Sequence, residues 1–250
     1  MDKERSKRNE YTGSGAIPLS DFEIEEGILK RYKGRAAHVV IPMGITAIDW
    51  GAFRDCRSLT GIEIPSSVTY IEQSAFASCV GLEHITIPDS VSDMGFYVFN
   101  NCSSLTSVVL PRNLTEIPAG TFSWCTALKS IKIPDGVTSI GQYAFSECSS
   151  LTDIELPGSV TDIESGAFDQ CTGLTSVKLP DGVTCIENLA FRKCTGLEEI
   201  VIPNSVMDIE VFAFRDCSNL KRVTIPRRFE EDAEALFFET YDDIEFTYTD

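Results

Sequence analysis

The stretch Ile62-Glu63-Ile64-Pro65-Ser66-Ser67-Val68-Thr69-Tyr70-Ile71, followed by Ala75-Phe76, Cys79 and Leu82, decides the fold, because it keeps coming back. Prolines stand at Pro42, Pro65, Pro88, Pro111, Pro134, Pro157, Pro180, Pro203 and Pro226, each 23 residues after the last. Eight of the nine cysteines keep the same step from Cys56 to Cys217, as do phenylalanines from Phe53 to Phe214 and leucines from Leu59 to Leu220. A fixed period of this length is the signature of a repeat architecture.

Relative to its proline, a unit is apolar at −3, −1, +3, +6, +10, +11, +14 and +17. The −3/−1 pair alternates as a strand does. Proline lacks the N–H that would continue a ladder and ends it. Turn formers follow, as in Ser66-Ser67, Asp89-Ser90 and Asp135-Gly136. The Ala-Phe-x-x-Cys-x-x-Leu segment steps by three or four, which predicts one or two turns of α or 3₁₀ helix. One unit cannot bury its apolar row alone, whereas stacked units wall each other. The expected fold is therefore a repeat solenoid: a parallel β-sheet on one face, short helical turns opposite it, one continuous core and a right-handed path. With strands about 4.8 Å apart, nine of them give a sheet roughly 40 Å long.

The spacing L-x-x-I-x-I-P-x-x-V-x-x-I-x-x-x-A-F-x-x-C-x-x-L, seen from Leu128 through Ile131, Ile133 and Pro134 to Cys148, resembles the BspA-like leucine-rich repeat. The resemblance covers about residues 22–226. Departures (Met94, Val98, Leu114, Thr121) conserve volume. It implies a non-enzymatic recognition or adhesion module, of a kind found mainly on bacterial and protist surfaces, and it carries over no catalytic residue and no cofactor.

The ends differ from the array. Residues 1–21 lack apolar periodicity and read as a flexible tail. Residues 22–38 read as a capping hairpin, with Glu26-Gly27 as its tight turn. The array of about eight units spans 39–226. Residues 227–250 read as an acidic cap, with a helix over Glu230–Phe238 whose early carboxylates suit the helix dipole, then a final edge strand, Ile244–Tyr248.

The chain has 250 residues, is 43% hydrophobic and carries a formal charge of −17, which argues against a nucleic-acid partner. Residues 39–226 hold 11 basic and 22 acidic side chains and residues 227–250 hold 2 and 9, so the acidity sits in the array and its C-terminal cap. It reads as a solvated surface rather than a docking face. No apolar run is long enough to span a membrane and no signal peptide is visible. A cytoplasmic monomer with a protein partner is the expectation; a cell-surface adhesin fragment or spacer, exported by a signal outside this sequence, is the alternative.

The repeat-locked cysteines read as reduced, buried structural thiols, and their 23-residue step is not a zinc-ligand spacing. Cys185 falls in a polar row and stands as the one candidate reactive thiol. His38 and His84 fall on the outward face, two units and roughly 10 Å apart, as surface histidines rather than metal ligands. No Gly-x-Ser-x-Gly, His-Glu-x-x-His or phosphate loop occurs. Binding is expected on the outward rows of the sheet, the broad concave face of such solenoids. Lys132, Asp153, Glu155, Lys178 and Glu199 form there a strip of alternating sign. A second candidate is the set of aromatics outside the core positions: Trp50, Tyr97, Trp124, Tyr143 and Phe212.

Overall fold

The computed structural model describes residues 17–250, so most of the expected tail lies outside the described residues. The chain winds as a solenoid whose coils repeat every 23 residues, and most coils contribute two strands rather than one. The first row comprises His38–Val40, Gly61–Glu63, His84–Thr86, Ser107–Val109, Asp153–Glu155, Ser176–Lys178, Glu199–Val201, Arg222–Pro226 and Glu245–Thr249. Its pairing is parallel in one-repeat register, for example Asp153 to Ser176 and Glu155 to Lys178. The second row comprises two-residue strands such as Tyr70–Ile71, Ser139–Ile140 and Cys185–Ile186, also parallel and in register. Between the rows a turn closes behind each ladder proline, as where the Val68 N–H donates to the Pro65 carbonyl at 3.0 Å.

The helical turns expected opposite the sheet are not formed in the array. Two positions per coil adopt left-handed backbone: one holds Ser74, Tyr97, Gly120, Tyr143 and Gly166, the other Asp55, Ser78, Asn101, Trp124 and Glu147, all with φ between 54° and 64°. A left-handed residue every fourth position breaks a helix. It also sends alternate amides outward. Gly51, Phe53 and Asp55 donate to Gln73, Ala75 and Ala77 of the next coil, while Ala52, Arg54 and Cys56 donate to carbonyls three residues back. The backbone of this face is thus satisfied both within a coil and between coils.

The core is columnar. Phe53, Phe76, Phe99, Phe122, Phe145, Phe168, Phe191, Phe214 and Phe237 are fully buried. Their rings stack at 5.1–5.7 Å with interplanar angles of 2–18°. Beside them run the cysteines: seven of the eight ladder thiols are buried, and each donates to the phenylalanine carbonyl 26 residues earlier at 3.0–3.2 Å. Cys56, in the first coil, is half-buried.

Both ends of the column are closed. The antiparallel hairpin Phe22–Glu25/Ile28–Tyr32 turns at Glu26 and Gly27, both with positive φ, and sets Tyr32 5.3 Å from Phe53. At the other end the helix is shorter than expected, Ala233–Phe237, flanked by 3₁₀ turns at Arg227–Phe229 and Phe238–Asp243. It delivers Phe237 onto Phe214, and Glu245–Thr249 pairs in parallel with Arg222–Pro226.

Candidate functional site

The rigid step of 23 residues puts the variable side chains of the first row into straight files. Lys132, Asp153, Glu155, Lys178 and Glu199 are all exposed on this outward face. Lys132, Glu155 and Lys178 occupy three successive register positions. Asp153 faces Ser176, which faces Glu199, which faces Arg222. Within these files Arg222 pairs with Glu199 at 2.9 Å, both partners more than half exposed, and His38 Nε2 lies 3.8 Å from Glu63 Oε1.

The first row is not uniform. Residues 130–132 do not form a full strand and keep a single bridge, Lys132 to Glu155. Beside this stretch lies a depression of roughly 500 Å³, lined by Ser130, Ile131, Lys132, Ile133, Asp135, Asp153, Glu155 and Pro157. Three of the five sequence-selected residues therefore border one concavity. Lys178 and Glu199 continue the files beyond it. A second depression, of about 530 Å³, lies on the turn side, where Gln170, Lys193 and Asp216 meet Thr240 and Asp243 of the C-terminal cap.

The second row explains where much of the negative charge sits. Its strands and flanking residues carry Asp49, Glu72, Asp93, Glu116, Asp162, Glu164, Glu187, Asp208 and Glu210, with no Lys, Arg or His among them. Part of this acidity holds the fold together. Glu164, Glu187 and Glu210 accept the backbone N–H groups of Gln142, Ser165 and Asn188 in the preceding coil at 2.8–3.1 Å. No sequence signal separates these carboxylates from merely solvated ones, since the acceptor role exists only after stacking.

The aromatics outside the core are exposed, yet most have a packing partner. Tyr97 and Tyr143 lie against Gly120 and Gly166, where a methyl group would collide with the Cδ1–Cε1 edge of the ring, so these glycines serve both the left-handed turn and the close approach. Arg54 sits 5.9 Å over Trp50 and Arg215 5.3 Å over Phe212. Asp169 is the buried acid of the array; Arg192 donates to it through two nitrogens, each at 2.7 Å.

Cys185 is half-buried in the second row. Burial pushes its thiol pKa up, and Asp208 and Glu187 add to the effect. That works against the thiolate a reactive cysteine needs. Burial likewise pushes Cys125 and Cys217 up to about 12. His38 and His84 are exposed, as expected, but their rings lean toward one another over Gly61, which the Cα spacing alone does not show.

The family model described as BspA type leucine-rich repeat region matches residues 23–151 and 115–242. A search of curated protein sequences returns no match. Among solved structures, the chain is similar to the leucine-rich repeat protein of T. pallidum, at 30% identity, covering 94% of this chain and 100% of that one, with a TM-score of 0.65. It is also similar in fold to a leucine-rich repeat protein from Eubacterium ventriosum ATCC 27560, at 24% identity and a TM-score of 0.56, covering 77% of this chain and 46% of that one.

Proposed function

The chain belongs to the BspA-type leucine-rich repeat family, and we propose that it is a non-enzymatic protein-interaction module that docks its partner on the outward face of the first strand row. The carrying observation is the coincidence at residues 130–157. Lys132, Asp153 and Glu155 of the strip of alternating charge border a depression, next to a stretch of the row that keeps only a single bridge. A flat array of charges gives little net affinity in water. A concavity lets a partner's side chain enter between Lys132 and Glu155 and lose solvent there, which strengthens each charged contact. The stacked core behind the strip is rigid, so binding orders few groups and costs little conformational entropy. The partner is a protein that offers both signs of charge, and the chain acts as a monomer.

The test is a pull-down with the whole chain as bait. A partner captured by the wild type should be lost by Glu155→Lys combined with Glu199→Lys, at unchanged melting temperature. Retention of the same partner by that variant sinks the reading.

A further inference from the structure

Gly61 sits on the outward file of the first row, where Ser107, Ser130, Asp153 and Ser176 at equivalent positions are exposed, yet Gly61 is buried. Two imidazoles cover it. A Cβ placed on Gly61 would lie 3.0 Å from Cδ2 and 3.6 Å from Nε2 of His38, and 3.5 Å from Nε2 of His84. His38 belongs to the coil before Gly61 and His84 to the coil after, so the two Nε2 atoms approach one point from opposite sides. Oε1 of Glu63, on the same strand as Gly61, is 3.8 Å from His38 Nε2. The missing side chain of Gly61 leaves the space that the two imidazoles share, with Glu63 beside His38.

We infer that His38, Glu63 and His84 form a site for a divalent transition-metal ion, with zinc as the best match. Imidazole nitrogen with one carboxylate suits zinc, nickel or copper rather than magnesium or calcium. Zinc holds nitrogen at about 2.0–2.1 Å and carboxylate oxygen at about 2.0–2.2 Å. The two Nε2 atoms lie 3.5 and 3.6 Å from the Cβ position of Gly61, and an ion would sit outward of that position, between the two rings, where rotation of the exposed side chains brings the nitrogens to it. His38 and Glu63 are 54% and 68% exposed, so moving them breaks no packing. Among the described residues no three such groups are already gathered for a metal, so the ion itself draws the ligands together. The remaining coordination positions stay open to water. The site links three consecutive coils at the end of the row where ladder pairing between Gly61–Glu63 and His84–Thr86 is interrupted. Bound metal therefore stabilises the N-terminal coils by mass action.

Calorimetric titration of the full chain with zinc chloride, in a non-thiol reductant, tests this. One saturable site per chain is expected, together with a rise in melting temperature when zinc is added. His38→Ala and His84→Ala should each weaken binding at least tenfold while leaving the zinc-free melting temperature unchanged. Gly61→Val fills the meeting point without removing a ligand and should weaken binding similarly. Absence of saturable binding, or binding unchanged in both histidine variants, overturns the assignment.

Discussion

Phe145→Ala tests whether the phenylalanine column is what couples the coils. Phe145 is fully buried, with Phe122 5.3 Å away on one side and Phe168 5.4 Å away on the other, at interplanar angles of 18° and 2°. Truncating a buried phenylalanine costs about 3–5 kcal/mol in lost transfer and cavity formation. Two stacked faces, each worth about 0.5–1.5 kcal/mol beyond buried area, put this site at the upper end, near 5 kcal/mol. Each coil contacts only its neighbours, so the loss should be felt locally. Urea unfolding followed by circular dichroism gives the magnitude, and peptide-resolved hydrogen exchange gives the location. Protection should fall most between residues 122 and 168 and least in the terminal coils. A loss of stability below about 1 kcal/mol, or protection lost evenly along the chain, refutes the column as the coupling element.

Other expectations follow from the same geometry. Gly166→Ala combines a positive φ with collision into the Tyr143 ring and should cost at least about 2 kcal/mol, whereas Gly44→Ala, with positive φ but nothing within 4 Å, should cost about 1 kcal/mol. Adding Tyr143→Ala should recover part of the Gly166→Ala loss in a double-mutant cycle. Arg192→Ala strands the buried Asp169 carboxylate and should cost about 2–3 kcal/mol, discounted because the arginine is partly exposed. Burial raises the ladder thiols in the folded state. Their contribution is therefore complete below the ordinary thiol pKa of about 8.5 and is lost as pH rises through the folded values, about 12 for Cys125 and Cys217. The urea midpoint should fall between pH 9 and 11, and less steeply in Cys125→Ala. At pH 8, thiol labelling of the native chain should reach only Cys56 and Cys185.

The period, the core and the outward strip were legible because stacking forces every coil to repeat its inward residues and leaves the outward ones free. Phe53 to Phe214 and Leu59 to Leu220 could be placed without coordinates for that reason. The second strand row was not, since two residues such as Ser139-Ile140 are too short to show alternation. The helical reading of Ala75-Phe76-x-x-Cys79 failed on backbone conformation. Ser74, Ser78, Tyr97 and Trp124 occupy a left-handed region that their side chains do not announce. Contacts between coils were equally hidden: Glu164 capping Gln142, and His38 meeting His84 over Gly61, join residues 22 and 46 positions apart. The depression beside Lys132 lies between two neighbouring coils, and the repeat pattern, being regular there, does not mark it.

Docking on the first row rather than the second is the central claim, and a two-face charge-reversal scan against the captured partner measures it most directly. Lys132→Glu, Asp153→Lys, Glu155→Lys, Lys178→Glu and Glu199→Lys should each weaken binding, with the largest loss at Glu155, between the two lysines. Glu116→Lys and Asp208→Lys on the second row should leave binding unchanged, and all seven variants should melt with the wild type. Loss of binding in the second-row variants alone, with the first-row variants at wild-type affinity, would contradict the account.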